Sequence, residues 1–350
     1  MLGHTTNHSP IHEEVVDFRA GDGTPLNLIR VHGPRAPFRG PVMLVHGAGV
    51  RANIFRPPTR QTLVDALLAD GYDVWLENWR ASIDVAPNEW TLDEAALHDH
   101  PRAVETIVRE TGARQVKAIV HCQGAMSFVL AAIAGLLPQV PLVISNAVSL
   151  HPVMPPAARR KLRHLIPLLS RLTPYLDPQW GLKPKGLLPR LLTLFTRATH
   201  SECDNTVCRM VSQIYGVGHP TLWQHENLDE RTHAWLTYEF AHVPLSFFVQ
   251  ILQSVEEGHL VLTGRFPELP RDIVRRAPRT DARFVFLAGR VNHCFEAESQ
   301  RRTYEAFSRH RPGYHSLHVL PGYGHLDVFM GKNAARDVFP LIQAELNRPV

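Results

Sequence analysis

Ile119-Val120-His121-Cys122-Gln123-Gly124-Ala125 joins a short apolar run, Val116–His121, to a stretch rich in small residues, Gly124–Leu136. The run reads as a buried strand and the stretch as a helix. A strand that passes at once into a helix needs a tight, strained turn, and such a turn pushes its apex side chain out above the sheet. The apex here is Cys122, with the small residue Gly124 behind it and Val120 where a leading glycine is usual. Free amides and the positive dipole end of the following helix should stabilise a Cys122 thiolate.

Working outward, strand and helix alternate. Residues 12–32 pattern as a hairpin, with Val15, Val16 and Phe18 before the turn Gly21-Asp22-Gly23 and Leu26, Leu28 and Val31 after it. Pro41–Val45 and Tyr72–Leu76 are apolar strands, Thr62–Asp70 and Leu92–Thr111 helices, and Leu142–Val148 a further strand. From about residue 40 to 150 this is the rhythm of a parallel sheet covered by helices on both faces. The rhythm breaks over 152–270, which looks helical with frequent proline stops. It resumes with the strand Arg283–Gly289, the helix Glu296–Arg309, the strand Ser316–Leu320 and the helix Ala334–Leu346. The expected architecture is α/β: a mostly parallel core over 11–151 and 271–350, interrupted by a helical cap over 152–270.

Three further loops lie at predicted strand ends. Leu320-Pro321-Gly322-Tyr323-Gly324-His325-Leu326-Asp327 follows the last strand and sets His325 between flexible residues, suited to act as general base toward Cys122. Gly289-Arg290-Val291-Asn292 follows the preceding strand. Asn292 occupies the position of an acid that would orient the histidine, and its carbonyl could accept from Nδ1–H; Glu296 and Glu298 are the substitutes. His46-Gly47-Ala48-Gly49 should offer the Ala48 N–H to an oxyanion, with Gln123 N–H completing the hole. The order nucleophile, orienter, histidine along the chain is that of α/β-hydrolases.

Gly71-Tyr72-Asp73-Val74-Trp75-Leu76-Glu77-Asn78-Trp79-Arg80-Ala81-Ser82, His121–Gly124, and Gly322–Asp327 with Gly331-Lys332-Asn333-Ala334 form one set. The set resembles the lipase-like α/β-hydrolase domain found fused to cholesterol-oxidase-type flavoproteins, and its stand-alone relatives. Cys208-Arg209-Met210 through Tyr215-Gly216, Thr232-His233, Leu236 and Gly258-His259-Leu260-Val261 fit the same group's cap, so the resemblance spans nearly the whole chain. It implies a carboxylic ester hydrolase of lipase or esterase type. No G-x-G-x-x-G unit opens a dinucleotide site, so no flavin or other cofactor is expected.

The function read from these residues is hydrolysis of a hydrophobic ester or thioester through an acyl-cysteine intermediate. One alternative is acyl transfer of the polyhydroxyalkanoate-synthase type, which Asn78-Trp79-Arg80 suggests and Asn292, where those enzymes carry aspartate, opposes. Another is a non-catalytic binding protein on a degenerate hydrolase fold, supported by Val120 and Asn292.

Bulk properties narrow the field. The 350 residues are 44% hydrophobic and carry a net charge of +4 from scattered arginines, so no basic stripe for nucleic acid appears. No run approaches the ~18 apolar residues of a spanning helix. The first ten residues are polar, unlike a secretory signal. The four cysteines, Cys122, Cys203, Cys208 and Cys294, are too few for a disulfide framework, and a reducing, cytoplasmic location is expected. Metal catalysis is not expected, because the close pair His98-x-His100 lacks a third ligand. Leu162, Leu165, Ile166, Leu169 and Leu172, then Leu187, Leu188, Leu191, Leu192, Leu194 and Phe195, recur at helical spacing. They would pack the cap on the core or form an apolar entrance and a weak membrane-surface contact.

Overall fold

The computed structural model describes residues 11–218 and 220–349. Its centre is an eight-stranded sheet of β1 (His12–Arg19), β2 (Pro25–His32), β3 (Pro41–Val45), β4 (Asp73–Asn78), β5 (Lys117–His121), β6 (Leu142–Asn146), β9 (Arg283–Gly289) and β10 (Ser316–Leu320). The spatial order is β1-β2-β4-β3-β5-β6-β9-β10. The six strands from β4 to β10 run parallel, and the β1–β2 hairpin joins one edge antiparallel. Every residue of β3, β4, β6 and β9 is buried, as both faces of a helix-covered parallel sheet demand. β1 is the free edge, and its Glu13, Glu14, Asp17 and Arg19 are exposed charges that discourage a further strand.

The expected elements are present, with three differences in their bounds. Leu92–Thr111 is not one α-helix: a π turn at Ala95–Asp99 separates Leu92–Glu94 from His100–Thr111. Pro101 follows that turn, and a proline has no N–H to give to residue 97 and would clash with its carbonyl, so the ladder widens there. β6 stops at Asn146, because Ala147 takes a left-handed φ of 58° and turns the chain out of the sheet. The closing helix is divided into Ala334–Asp337 and Phe339–Asn347, with Pro340 as the breaking residue.

Between β6 and β9 lie the helices Pro156–Leu169, Leu187–Thr199, Thr206–Tyr215, Glu230–Trp235 and Leu245–Glu257. A two-stranded ribbon, β7 (Tyr175–Leu176) with β8 (Val243–Pro244), runs among them. The apolar clusters of this segment divide between two surroundings. Leu162, Ile166 and Leu169 are buried inward, whereas Leu172, Leu187, Leu191, Leu194 and Phe195 are exposed.

Candidate active site

β5 ends at His121, and the helix Cys122–Ile133 begins on the next residue. Cys122 takes φ 55°, a left-handed conformation that costs a non-glycine residue about 1–2 kcal/mol. The turn is held by close approach. A Cβ on Gly124 would sit 2.1 Å from the His46 carbonyl oxygen, and one on Gly47 would sit 3.0 Å from Cys122 Cβ. Val120, at the position of the usual leading glycine, is buried inside the sheet between Val45 and Ser145, where its bulk is absorbed.

The loop after β10 carries His325 to this turn. The Cys122 sulfur and one ring nitrogen each of His121 and His325 lie within 4.8 Å of one another. The thiol is buried, yet it faces the histidine loop. That loop is stitched to the one after β9 by Arg290 N–H to Leu320 O (3.0 Å) and Val291 N–H to Tyr323 O (3.1 Å). Gly289 makes the contact possible, since a Cβ there would lie 1.9 Å from Gly324 O.

Asn292 meets His325 at Nδ1 with its Nδ2, 3.0 Å away. The orientation of this amide follows from its other end. Asn292 Oδ1 accepts from the backbone N–H of Cys294 (2.9 Å) and of Phe295 (3.4 Å), groups that can only donate. The NH2 therefore faces the ring, Nδ1 is an acceptor, and neutral His325 carries its proton on Nε2. This corrects the expectation that the Asn292 carbonyl accepts from Nδ1–H. Glu298 binds Arg301 and Arg302 at the surface, and Glu296 sits at the start of the helix Ala297–His310 with its N–H on Val153 O. Neither glutamate is hydrogen-bonded to His325.

The amides of Gln123 and Ala48 both point at the Cys122 sulfur and favour its anion. Burial outweighs them and pushes the thiol up to about 12. Burial also takes His325 down to about 3, so thiol and imidazole are both neutral. The expected stabilisation of a thiolate by the helix end therefore meets a larger opposing effect here, because desolvation of a charge exceeds the help of two amides. Ala48 is itself anchored, its carbonyl accepting from Tyr215 O–H at 3.0 Å.

Three supports were not legible in sequence. Asn146 Nδ2 touches His121 Nδ1 (2.9 Å) and donates to the His325 carbonyl (3.1 Å), fixing a second imidazole beside the first. Glu77, His100 and Ser127 form a buried chain, with His100 Nδ1 2.9 Å from Glu77 and Nε2 2.7 Å from Ser127 on the Cys122 helix. Asp327 accepts from Gly324 N–H (2.8 Å), Gln224 N–H (3.3 Å) and Asn227 Nδ2 (2.6 Å), tying the histidine loop to residues 224–227.

Above Cys122 lies an apolar cavity of about 30 Å³, lined by Ile214, Tyr215, Phe247, Phe248 and Phe295 among others. One or two waters would fill it, whereas sites for small molecules span roughly 300–1,000 Å³. The helix Pro156–Leu169 forms one wall through Ala158, Lys161 and Leu162. A groove of about 790 Å³ on the outside of the segment shares Lys161 and includes Leu165, Leu192 and Phe195.

A family model for the alpha/beta hydrolase fold matches residues 40–331. The chain belongs to the alpha/beta hydrolase fold family. Over 128 residues it is 32% identical to lipase member K of Homo sapiens, covering 32% of this chain and 32% of the lipase. Over 173 residues it is 21% identical to sterol esterase 2 of Saccharomyces cerevisiae, covering 45% of this chain and 32% of the esterase. The chain thus matches about a third of the length of these curated relatives. The monoacylglycerol lipase of Paleococcus ferrophilus shares the fold with a TM-score of 0.57 and 13% identity, covering 96% of this chain and 98% of that one.

In this member of the alpha/beta hydrolase fold family, Cys122, His325, Asn292, Ala48 and Gln123 are gathered at the C-terminal ends of β3, β5, β9 and β10. The pair His98 and His100 is not at this centre. His100 is spent on Glu77 and Ser127, and the His98 backbone carbonyl accepts from Gly21 N–H. Among the described residues, two groups of donors could hold a metal: His121 with Cys122 and His325, and a second group in the helical segment, Cys203, Cys208, His225 and His233. Among the described residues, no helix is long and apolar enough to cross a membrane.

Proposed function

We propose that this chain is a carboxylic ester hydrolase for esters or thioesters of hydrophobic acids, working through an acyl-cysteine on Cys122. The observation that carries this reading is the left-handed Cys122, its sulfur addressed by the Ala48 and Gln123 amides and within 4.8 Å of a ring nitrogen of His325, whose Nε2 has no hydrogen-bond partner in this arrangement. Sγ attacks the carbonyl carbon while its proton passes to His325 Nε2, and the two amides hold the oxyanion. The carbon–oxygen or carbon–sulfur bond breaks, and the leaving group takes the proton from Nε2. Water then loses a proton to Nε2, cleaves the thioester, and returns the thiol.

Both proton abstractions, from the thiol and later from water, need Nε2 without its proton at the start. Asn292 must then turn its amide so that Oδ1 accepts from Nδ1–H, which presents NH2 to the Cys294 and Phe295 amides. A buried donor left unpaired costs about 1–3 kcal/mol, so the working tautomer is uphill and turnover is slowed accordingly. The same observation favours a second reading, a non-catalytic binding protein on this fold.

Residues 152–270 act as a cap that selects substrate, over the core of 11–151 and 271–350. The walls of the Cys122 cavity suit an acyl chain, and its volume requires the cap to part before one enters. The exposed Leu187, Leu191, Leu194 and Phe195 suit an apolar entrance or a weak membrane-surface contact. Within the family, the motifs around Trp79, Cys122 and His325 resemble those of the hydrolase domain fused to cholesterol-oxidase-type flavoproteins, which supports the ester-hydrolase reading. Its free cysteines suit a reducing compartment, the cytoplasm.

The deciding experiment is a panel of p-nitrophenyl esters from acetyl to palmitoyl, with intact-mass analysis, on wild type, Cys122→Ala and Cys122→Ser. Hydrolysis that Cys122→Ala abolishes, with an acyl adduct on Cys122, supports the reading. A folded wild type with neither adduct nor turnover makes it a binding protein. Chain growth from a hydroxyacyl thioester, in place of free acid, would make it an acyltransferase.

A further inference from the structure

The helical segment between β6 and β9 contains a side-chain cluster that the proposed hydrolysis does not use. Cys203 lies in the loop before the helix Thr206–Tyr215, Cys208 in that helix's first turn, His225 in the turn His225–Asn227, and His233 in the helix Glu230–Trp235. Two sulfurs and two ring nitrogens from these four residues lie within 4.8 Å of one another, and Cys208 Sγ is 3.4 Å from His225 Nε2. A tetrahedral zinc ion with Zn–S near 2.3 Å and Zn–N near 2.0–2.1 Å separates its ligand atoms by about 3.3–3.8 Å. Closing the cluster onto such an ion asks for shifts of about 1 Å, within the reach of side-chain torsions. The cysteine half, Cys203-x4-Cys208, has a spacing common at zinc sites, but His225-x7-His233 is wider than the usual histidine pair, so sequence alone does not mark the set.

We propose that Cys203, Cys208, His225 and His233 bind a structural zinc ion that fastens the cap to the two loops around Cys122. The donor chemistry selects the metal: two thiolates and two imidazoles suit zinc and leave no open position for a substrate. The surroundings are built for it. Asn205 Oδ1 accepts from the Val207 and Cys208 amides (3.1 Å each), while its Nδ2 donates to the His233 carbonyl (3.2 Å) and to Thr237 (2.8 Å). One side chain therefore ties the cysteine-bearing turn to the histidine-bearing helix. His233 Nε2 is a buried atom with no hydrogen-bond partner, which a metal would satisfy.

The two arms of the cluster lead to the catalytic loops. The helix that starts beside Cys208 ends at Tyr215, whose hydroxyl holds the Ala48 carbonyl. The segment that ends at His225 presents Leu222 O to the amides of His325 (3.2 Å) and Leu326 (2.8 Å). Zinc would cross-link these arms at their roots, a staple in a segment whose sheet, among the described residues, is a two-stranded ribbon.

The test is elemental analysis of the tag-free full chain after dialysis against EDTA, with wild type, Cys122→Ser, His233→Asn and Cys203→Ser compared. Zinc at about one per chain in wild type and in Cys122→Ser, with at least a tenfold loss in His233→Asn and Cys203→Ser, is the expected result. Retention in Cys122→Ser separates this site from the His121, Cys122 and His325 donors. If the variants do not fold, Co2+ exchanged into wild type should give the intense visible bands of tetrahedral cobalt and a sulfur-to-metal charge-transfer band. The proposal is overturned if wild type refolded with Zn2+ holds none and both thiols alkylate freely. A reducible disulfide between Cys203 and Cys208, or metal lost in Cys122→Ser and kept in His233→Asn, would overturn it equally.

Discussion

The side-chain amide of Asn292 donates to Nδ1 of His325 at 3.0 Å, because its oxygen is already committed to the amides of Cys294 and Phe295. An aspartate in the same place would satisfy both ends at once, one oxygen for the two amides and one for an Nδ1–H. Asparagine satisfies one end and reverses the other. The consequence is a histidine whose proton stands on the nitrogen that faces the sulfur.

Asn292→Asp should therefore raise activity. It places a carboxylate oxygen opposite Nδ1, returns Nε2 to the role of acceptor and stabilises the imidazolium that forms on proton transfer. In a serine protease the reverse change costs about 10⁴ in kcat through the wrong tautomer. A thiol, more acidic than a hydroxyl, needs less help, so a gain of about tenfold to a hundredfold in kcat/KM is expected here. Steady-state kinetics on the best ester measure it. A folded Asn292→Asp with unchanged or lower kcat/KM would show that His325 is not the base.

The pH dependence of Cys122 reactivity follows from its burial. With burial pushing the thiol up to about 12 and His325 down to about 3, no ion pair between them is expected. Alkylation of Cys122 by iodoacetamide should climb about tenfold per pH unit from pH 7 to beyond 9, with no plateau. His325→Ala should leave that slope in place. A plateau reached by pH 7 that disappears in His325→Ala would reveal a thiolate–imidazolium pair instead.

The sheet and the Cys122 turn were readable because they rest on local rules: apolar runs of strand length, glycines at each close approach, and alternation with helices. The meeting of Cys122, His325 and Asn292 was readable for a related reason, since each ends or follows a predicted strand and parallel topology brings those ends together. The direction of the Asn292 amide was not, because it depends on two backbone N–H groups whose position only the folded loop determines. The burial that raises Cys122 was hidden too, for it comes from Tyr215, Phe247 and Phe248 on helices far away in sequence. Cys203 and Cys208 had a zinc-like spacing but His225 and His233 did not, and the four meet only through the packing of the helical segment between β6 and β9.

Gly289→Ala should damage stability and activity together. The added methyl would lie 1.9 Å from Gly324 O and 2.5 Å from Tyr323 O, both backbone atoms that cannot swing aside. Overpacking of this kind costs about 1–3 kcal/mol, and relief by moving the loop carries His325 away from Cys122. Urea unfolding and kcat should both fall. Full activity at reduced stability would mean that the loop position is not what aligns the histidine.

Tyr215→Phe removes one hydroxyl and leaves the aromatic wall of the cavity intact. The lost bond to Ala48 O is worth about 0.5–1.5 kcal/mol, so, under the proposed hydrolysis, kcat should fall by roughly twofold to tenfold as the Ala48 amide loosens. KM should hardly move, since the ring still lines the pocket. A change confined to KM would assign Tyr215 to substrate binding alone.

Asp327 gives a stability signature that can be read without any substrate. Burial raises its carboxyl from 3.8 to about 6, against the hydrogen bonds from Asn227, Gln224 and Gly324. The native state therefore holds this proton more tightly than the unfolded chain does. Its contribution to stability is complete below pH 4 and is lost as pH rises from about 4 to 6, by about 3 kcal/mol at most. Asp327→Asn cannot titrate, and its NH2 would face the Gln224 and Asn227 donors, so the variant is also destabilised at every pH. Denaturant unfolding of both proteins at pH 4 and pH 7 should show the stability gap between them narrowing as pH rises. A gap that stays constant or widens would mean that Asp327 is ionised in the native state across this range, and that its charge is what holds the histidine loop to residues 224–227.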